Sequence, residues 1–155
     1  HGKTNVSFSF DGTRMACRLI DANYPDYNAV IPKDNPNAMS VNRGEFLQSL
    51  KRIAIYANKT TNQVVLNIDD GRLTISAQDL DFSNEATEQL TCKYTGHAMS
   101  IGFNGKFLIE VLSVIDTDEV RLELSTHTRA AIVLPGEKKE KEDVLMLVMP
   151  VMMGT

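Results

Sequence analysis

Cysteine is scarce: only Cys17 and Cys92 occur in 155 residues, far apart and in no metal-ligand spacing. That excludes a disulfide framework and a cysteine zinc site. The pair reads as reduced, half-buried thiols of a cytoplasmic protein. No apolar run approaches the roughly 18 residues of a membrane-spanning helix, so no membrane role is expected. The longest, Val144 to Met153, has strand length. Charge of one sign is not in large excess either. With 16 basic and 20 acidic residues the net charge is −4, which by itself does not point to nucleic acid. Catalytic patterns are missing as well. His1, His97 and His127 lie near no nucleophile motif, and no His-Glu-x-x-His occurs. Gly105-Lys106 runs into Phe107 rather than Ser or Thr, so it is no phosphate loop. Asp69-Asp70 and Asp118-Glu119 read as turns, not as metal ligands. Neither an enzyme nor a cofactor is expected. No aromatic stripe is present, which disfavours single-strand recognition.

What the chain does have is apolar content of 43% with 23% charged residues, enough for one sizeable core and too much for long disorder. Two glycosylation words, at Asn5 and Asn58, read as chance. The sequence opens at His1-Gly2-Lys3 in the middle of a strand-like pattern, as expected of a piece of a longer protein. Val6, Phe8 and Phe10 alternate with polar residues, Asp11-Gly12 follows, and Met15, Cys17 and Leu19 alternate again, which predicts a hairpin. Pro25, Pro32 and Pro36, with neighbouring Asp and Asn, mark a linker, and a domain boundary is expected near Ile31.

Beyond it a unit occurs twice. Ala38 to Val41 reads as a strand and Asn42 as a helix cap; Phe46, Leu47, Leu50, Ile53 and Ala54 then form one helical face that should end near Ala57-Asn58. Val64, Leu66 and Ile68, then Leu73, Ile75 and Ala77, predict two strands, and a third spans Glu85 to Tyr94. Ala98 to Ile101 repeats the first strand, Asn104 repeats the cap, and Phe107, Leu108, Val111, Leu112 and Ile115 repeat the helix. Strands follow at Val120 to Leu124, at Ala131 to Val133 and across Val144 to Met153, the last after a charged loop at Lys138 to Asp143. Gly44-Glu45-Phe46-Leu47 matches Gly105-Lys106-Phe107-Leu108, which sets Leu50 on Val111 and Ile53 on Val114. The predicted class is α+β: two β-α-β-β-β units with both helices on one face of antiparallel sheets.

Several words within this doubled unit are more specific. Leu19-Ile20-Asp21, Tyr24-Pro25-Asp26-Tyr27, Val30-Ile31-Pro32, Ile101-Gly102-Phe103-Asn104 and Leu147-Val148-Met149-Pro150-Val151 together resemble, in order and spacing, the bacterial beta sliding clamp family, the processivity subunit of DNA polymerase III. The resemblance implies the DNA-clamp fold. Residues 1–31 are then the last hairpin and linker of an incomplete middle domain, and residues 32–155 a complete C-terminal domain. It further implies a homodimeric ring around double-stranded DNA, held without sequence preference. An outer pocket would tether polymerase subunits, clamp loader and repair proteins through short Gln/Leu/Phe motifs. A free-standing α+β interaction module without DNA function is the alternative.

Residue roles follow from the same resemblance. Pocket positions are Pro25 and Val30 at the junction, Asn104 and Phe107 at the start of the second helix, and Thr128 on a strand. At the tail they are Leu147, Met149, Pro150, Val151, Met152 and Met153. Met suits a surface that accepts varied partners, and Pro150 equally suits an ordinary edge strand. The family often has Arg where Ala29 stands, and usually ends in Arg and Leu where this chain has Met152-Met153-Gly154-Thr155. Ile55 and Tyr56 fall at the ring interface. DNA-facing positions are Arg43, Lys51, Arg52 and Lys59, along and just past the first helix, where Glu45 is the only acid between Arg43 and Lys59, and Lys106 on the second, beside Glu110. The same cations also fit a plain solvated helix face.

Overall fold

A computed structural model describes residues 4–153; His1, Gly154 and Thr155, noted above, lie outside the described residues. Two compact units divide between Val30 and Ile31.

The first unit is a hairpin of β1 (Asn5–Phe10) and β2 (Thr13–Arg18), paired from Asn5↔Arg18 to Phe10↔Thr13. Its two-residue turn places Asp11 at φ 44° and Gly12 at φ 75°, the doubly left-handed geometry that an Asp-Gly pair tolerates. A 3-10 turn, Tyr27–Ala29, follows, opened by Asp26, whose carboxylate accepts from Asn28 N–H at 3.1 Å. Tyr24 and Tyr27 meet edge to face with ring centroids 6.4 Å apart.

The second unit begins with β3 (Asn37–Asn42), α1 (Arg43–Ile53), a 3-10 turn (Ala54–Tyr56), β4 (Gln63–Asp69), β5 (Arg72–Asp79) and β6 (Asn84–Thr95). It repeats with β7 (Met99–Asn104), α2 (Gly105–Val114), β8 (Glu119–Leu124), β9 (Ala131–Pro135), β10 (Met146–Val148) and β11 (Pro150–Val151). Both helices start for the same local reason. Asn42 Oδ1 accepts from Glu45 N–H at 2.9 Å and Asn104 Oδ1 from Lys106 N–H at 3.0 Å, satisfying donors that the first turn leaves free.

The strands form one antiparallel array in the order β10-β9-β8-β3-β6-β5-β4-β7-β11. Each half lends its first strand to the other: β3 pairs with β8, and β7 with β4. Two backbone bonds reproduce this exchange at the helix starts. Arg43 N–H donates to Asp118 O at 2.8 Å, and Gly105 N–H to Asn62 O at 2.8 Å. The second half is therefore split, with β10-β9-β8 at one end of the array and β7-β11 at the other, joined only through the strands of the first half. Between α1, α2 and the sheet runs one core that includes Met39, Phe46, Leu50, Ile53, Leu66, Ile75, Ile101, Phe103, Leu108, Leu112, Leu122 and Val133.

Two sequence expectations need correction. The structural repeat runs from Asn42 to Asn104, 62 positions apart, not in the register of the Gly-x-Phe-Leu words. Phe46, Leu50 and Ile53 therefore correspond to Leu108, Leu112 and Ile115, all buried, while Phe107 and Val114 lie exposed. The final segment, expected as one strand from Val144 to Met153, is two short strands broken at Met149. Residues Met146–Val148 pair with β9 and Pro150–Val151 with β7, at the opposite end of the array. Pro150 has no N–H with which to continue the first ladder.

Candidate peptide and nucleic-acid surfaces

The tail is held against the strand that feeds α2. Pro150 pairs with Phe103 and Val151 with Gly102. A Cβ on Gly102 would lie 3.0 Å from both Val151 O and Met153 Cγ, so a side chain there would press the tail outward by a few tenths of an ångström. Ser100 Oγ donates weakly to Met153 Sδ at 3.8 Å. Asn104, the residue after Phe103, caps α2, and Phe107 stands on the first helical turn, 56% exposed. On the other side of the break, Leu147 pairs with Ile132. Met149 and Met152 are 62% and 79% exposed, whereas Leu147, Pro150, Val151 and Met153 are half-buried. The tail is thus anchored on β9 and β7 with the thioethers of Met149 and Met152 exposed, and the Phe107 ring is exposed on α2.

Thr128 does not lie on a strand. It sits in the turn between β8 and β9, where its hydroxyl meets that of Thr126 at 3.2 Å and Arg129 N–H donates to Thr126 O at 3.3 Å. Pro25 and Val30 belong to the first unit, Pro25 just before its 3-10 turn and Val30 as the residue that caps the turn's end, and Val30 is exposed.

The five cations expected to face DNA separate into three kinds. Lys51 and Lys106 are exposed. Arg52 forms a two-pronged pair with Glu88 of β6, with Nε–Oε1 at 2.7 Å and Nη2–Oε2 at 2.6 Å. This hydrogen-bonded partner holds the Glu88 carboxyl down at about 2 and raises Arg52 further. Lys59 Nζ donates to Ile55 O at 3.0 Å. Arg43 is a structural clamp: Nε donates to Thr117 O at 2.8 Å and Nη1 to Leu112 O at 3.3 Å, which covers carbonyls at the C-terminal end of α2.

Ile55 and Tyr56 lie exposed on the 3-10 turn after α1. Two large apolar residues not anticipated from sequence stand near them, Leu80 (79% exposed) and Phe82 (72%) on the β5–β6 connection. Asn58 Nδ2 ties the two segments together by reaching Asp79 Oδ1 at 3.4 Å and Asp81 Oδ2 at 3.3 Å. The signal was present as large apolar residues alternating with Asp just past a strand, but alternation alone does not tell a strand end from a surface patch. Beside them β6 pairs with β5 over Asn84 to Thr91, while β3 covers only Cys92 to Thr95 of its other edge. Among the described residues the edge from Asn84 to Thr91 is therefore open. Among the same residues no group of three or more His, Cys, Asp or Glu side chains is placed to hold a metal ion.

The family model for the DNA polymerase III beta subunit, C-terminal domain, matches residues 28–152. The beta sliding clamp of Pseudomonas aeruginosa is 32% identical over 133 residues, covering 86% of this chain and 35% of that protein. That of Treponema pallidum is 31% identical over 129 residues, covering 81% and 35%. Among solved structures, a Bartonella birtlesii sliding clamp bound to griselimycin superposes with TM-score 0.91 at 30% identity, covering 98% of this chain and 40% of that one. The beta subunit of Thermotoga maritima gives 0.89 at 27%, covering 99% and 41%. The chain thus spans 35–40% of the length of the curated relatives it matches. With the family model matched along 28–152, this chain belongs to the DNA polymerase III beta subunit (beta sliding clamp) family.

Proposed function

We propose that the chain serves as the C-terminal part of a bacterial DNA sliding clamp: a ring-forming processivity subunit of the cytoplasm that tethers proteins to duplex DNA and performs no chemistry itself. The observation that carries this reading is the match to the family's C-terminal domain along residues 28–152. In this reading the tail strand, Asn104 and Phe107 receive Gln/Leu/Phe-type motifs of polymerase subunits, clamp loader and repair proteins. The exposed thioethers of Met149 and Met152 support it, since they can repack around different partners. Lys51 and Lys106 carry the DNA-facing charge. Arg52 and Lys59 join them only by exchanging their present partners for phosphate, and Arg43 acts by holding α2. Ile55, Tyr56, Leu80 and Phe82, with the open edge of β6, form the ring interface to a second copy of the longer protein.

The test is topological. A full-length protein carrying this chain, loaded on circular duplex DNA, should stay bound through gel filtration and leave once the circle is cut. Equal loss from circular and linear DNA would overturn the reading.

A further inference from the structure

A cleft of about 390 Å³ lies at the end of α2 away from Phe107, beneath the charged loop that follows β9. That volume falls in the ordinary range for ligand sites, about 300–1,000 Å³. Its floor is apolar, built from Val114, Ile115, Leu134, Pro135 and Val144. The root of the roof is fixed. Gly136 N–H donates to Glu119 O at 2.9 Å and to Thr117 Oγ1 at 3.2 Å, and Thr117 Oγ1 donates to Glu119 O at 2.7 Å. A Cβ on Gly136 would come within 2.6 Å of Glu119 O, so the loop leaves β9 at a place only glycine can occupy.

The rim carries the specificity. Its two cations are already engaged, Lys139 with Asp116 across the mouth and Lys138 with Asp143 at 3.3 Å. Glu137 and Glu142 make no ion pair among the described residues. The mouth is therefore negative over an apolar floor, and it repels phosphate. We propose that this cleft is a second protein-docking site, independent of the tail, which takes a short segment with one or two aliphatic side chains flanked by lysine or arginine. The exposed pair between Lys139 and Asp116 is weak enough to exchange as the segment enters.

Fluorescein-labelled Lys-Leu-Leu-Lys amide, titrated by polarisation against the whole chain, tests this, with Lys-Ser-Ser-Lys as the charge-matched control. Saturable binding of the first peptide only is expected. It should weaken at least tenfold in the double variant Glu137→Lys/Glu142→Lys and persist in Phe107→Ala. These are surface positions, and an unchanged urea midpoint verifies the fold of each variant. Absence of saturation below about 1 mM, equal binding of both peptides, indifference to the charge reversal, or loss in Phe107→Ala would each overturn the proposal; the last would move the peptide to the tail surface.

Discussion

Arg43, the first residue of α1, donates through Nε to the carbonyl of Thr117 at 2.8 Å, just past the end of α2. Together with the bond from its Nη1 to Leu112 O, this places a permanent cation on the negative pole of the second helix from the start of the first. The side chain joins the two halves at the point where their strands cross over. Arg43→Ala should therefore destabilise the fold, by about 1–3 kcal/mol for part-buried carbonyls left unpaired. Urea unfolding checks it. Arg43→Lys should recover only part of the loss, because an ammonium cannot span both carbonyls with a planar fork.

The pair formed by Arg52 and Glu88 gives a pH signature. The folded carboxyl sits at about 2, below its ordinary value of 4.5, so its contribution to stability is complete above 4.5 and disappears as the pH falls from there toward 2. Glu88→Gln should flatten the stability profile of the chain in that window, read as the urea midpoint at successive pH values. The same substitution releases Arg52 for phosphate. Duplex DNA binding by a full-length protein carrying it should strengthen and become more salt-dependent; unchanged DNA binding would exclude Arg52 from the DNA-facing set.

Phe46 and Phe107 occupy equal places in two matching sequence words, yet Phe46 is fully buried and Phe107 is not. Phe46→Ala should cost about 3–5 kcal/mol. Phe107→Ala should leave stability within about 0.5 kcal/mol while weakening peptide binding at the tail. Thermal or urea unfolding of the two variants side by side separates a core ring from a binding ring.

The two thiols differ in the same manner. Cys17 is exposed, whereas burial, with Asp70 nearby, raises the Cys92 thiol. Ellman's reagent should titrate one thiol rapidly in the native chain, and Cys17→Ser should abolish that fast phase. A fast phase surviving the substitution would contradict the burial of Cys92.

Features written locally were legible in the sequence. Asp11-Gly12 sets a turn, Asn42 and Asn104 set helix starts, and the alternation of Val64, Leu66 and Ile68 sets a strand, each within a few residues. Features that depend on distant partners were not. The word match between Phe46 and Phe107 misled because helix register is counted from the cap, and the second helix reaches its Phe one residue sooner. Arg43 and Arg52 read as free cations because their partners, Thr117 and Glu88, lie 74 and 36 positions away. The break at Met149 required knowing that β10 and β11 join opposite ends of the array. Thr128 is set on a strand by the family resemblance alone, whereas it lies in the turn that Arg129 N–H closes on Thr126 O.

In the proposed function the tail strand, Asn104 and Phe107 receive the partner peptide. Fluorescence polarisation with a Gln-Leu-Ser-Leu-Phe-type peptide tests it most directly, on the intact chain, on the chain truncated before Leu147 and on Phe107→Ala. Saturable binding that is lost on truncation and weakened at least tenfold in Phe107→Ala is expected. Saturable binding that survives both changes, or none even with a full-length protein carrying this chain, would contradict it.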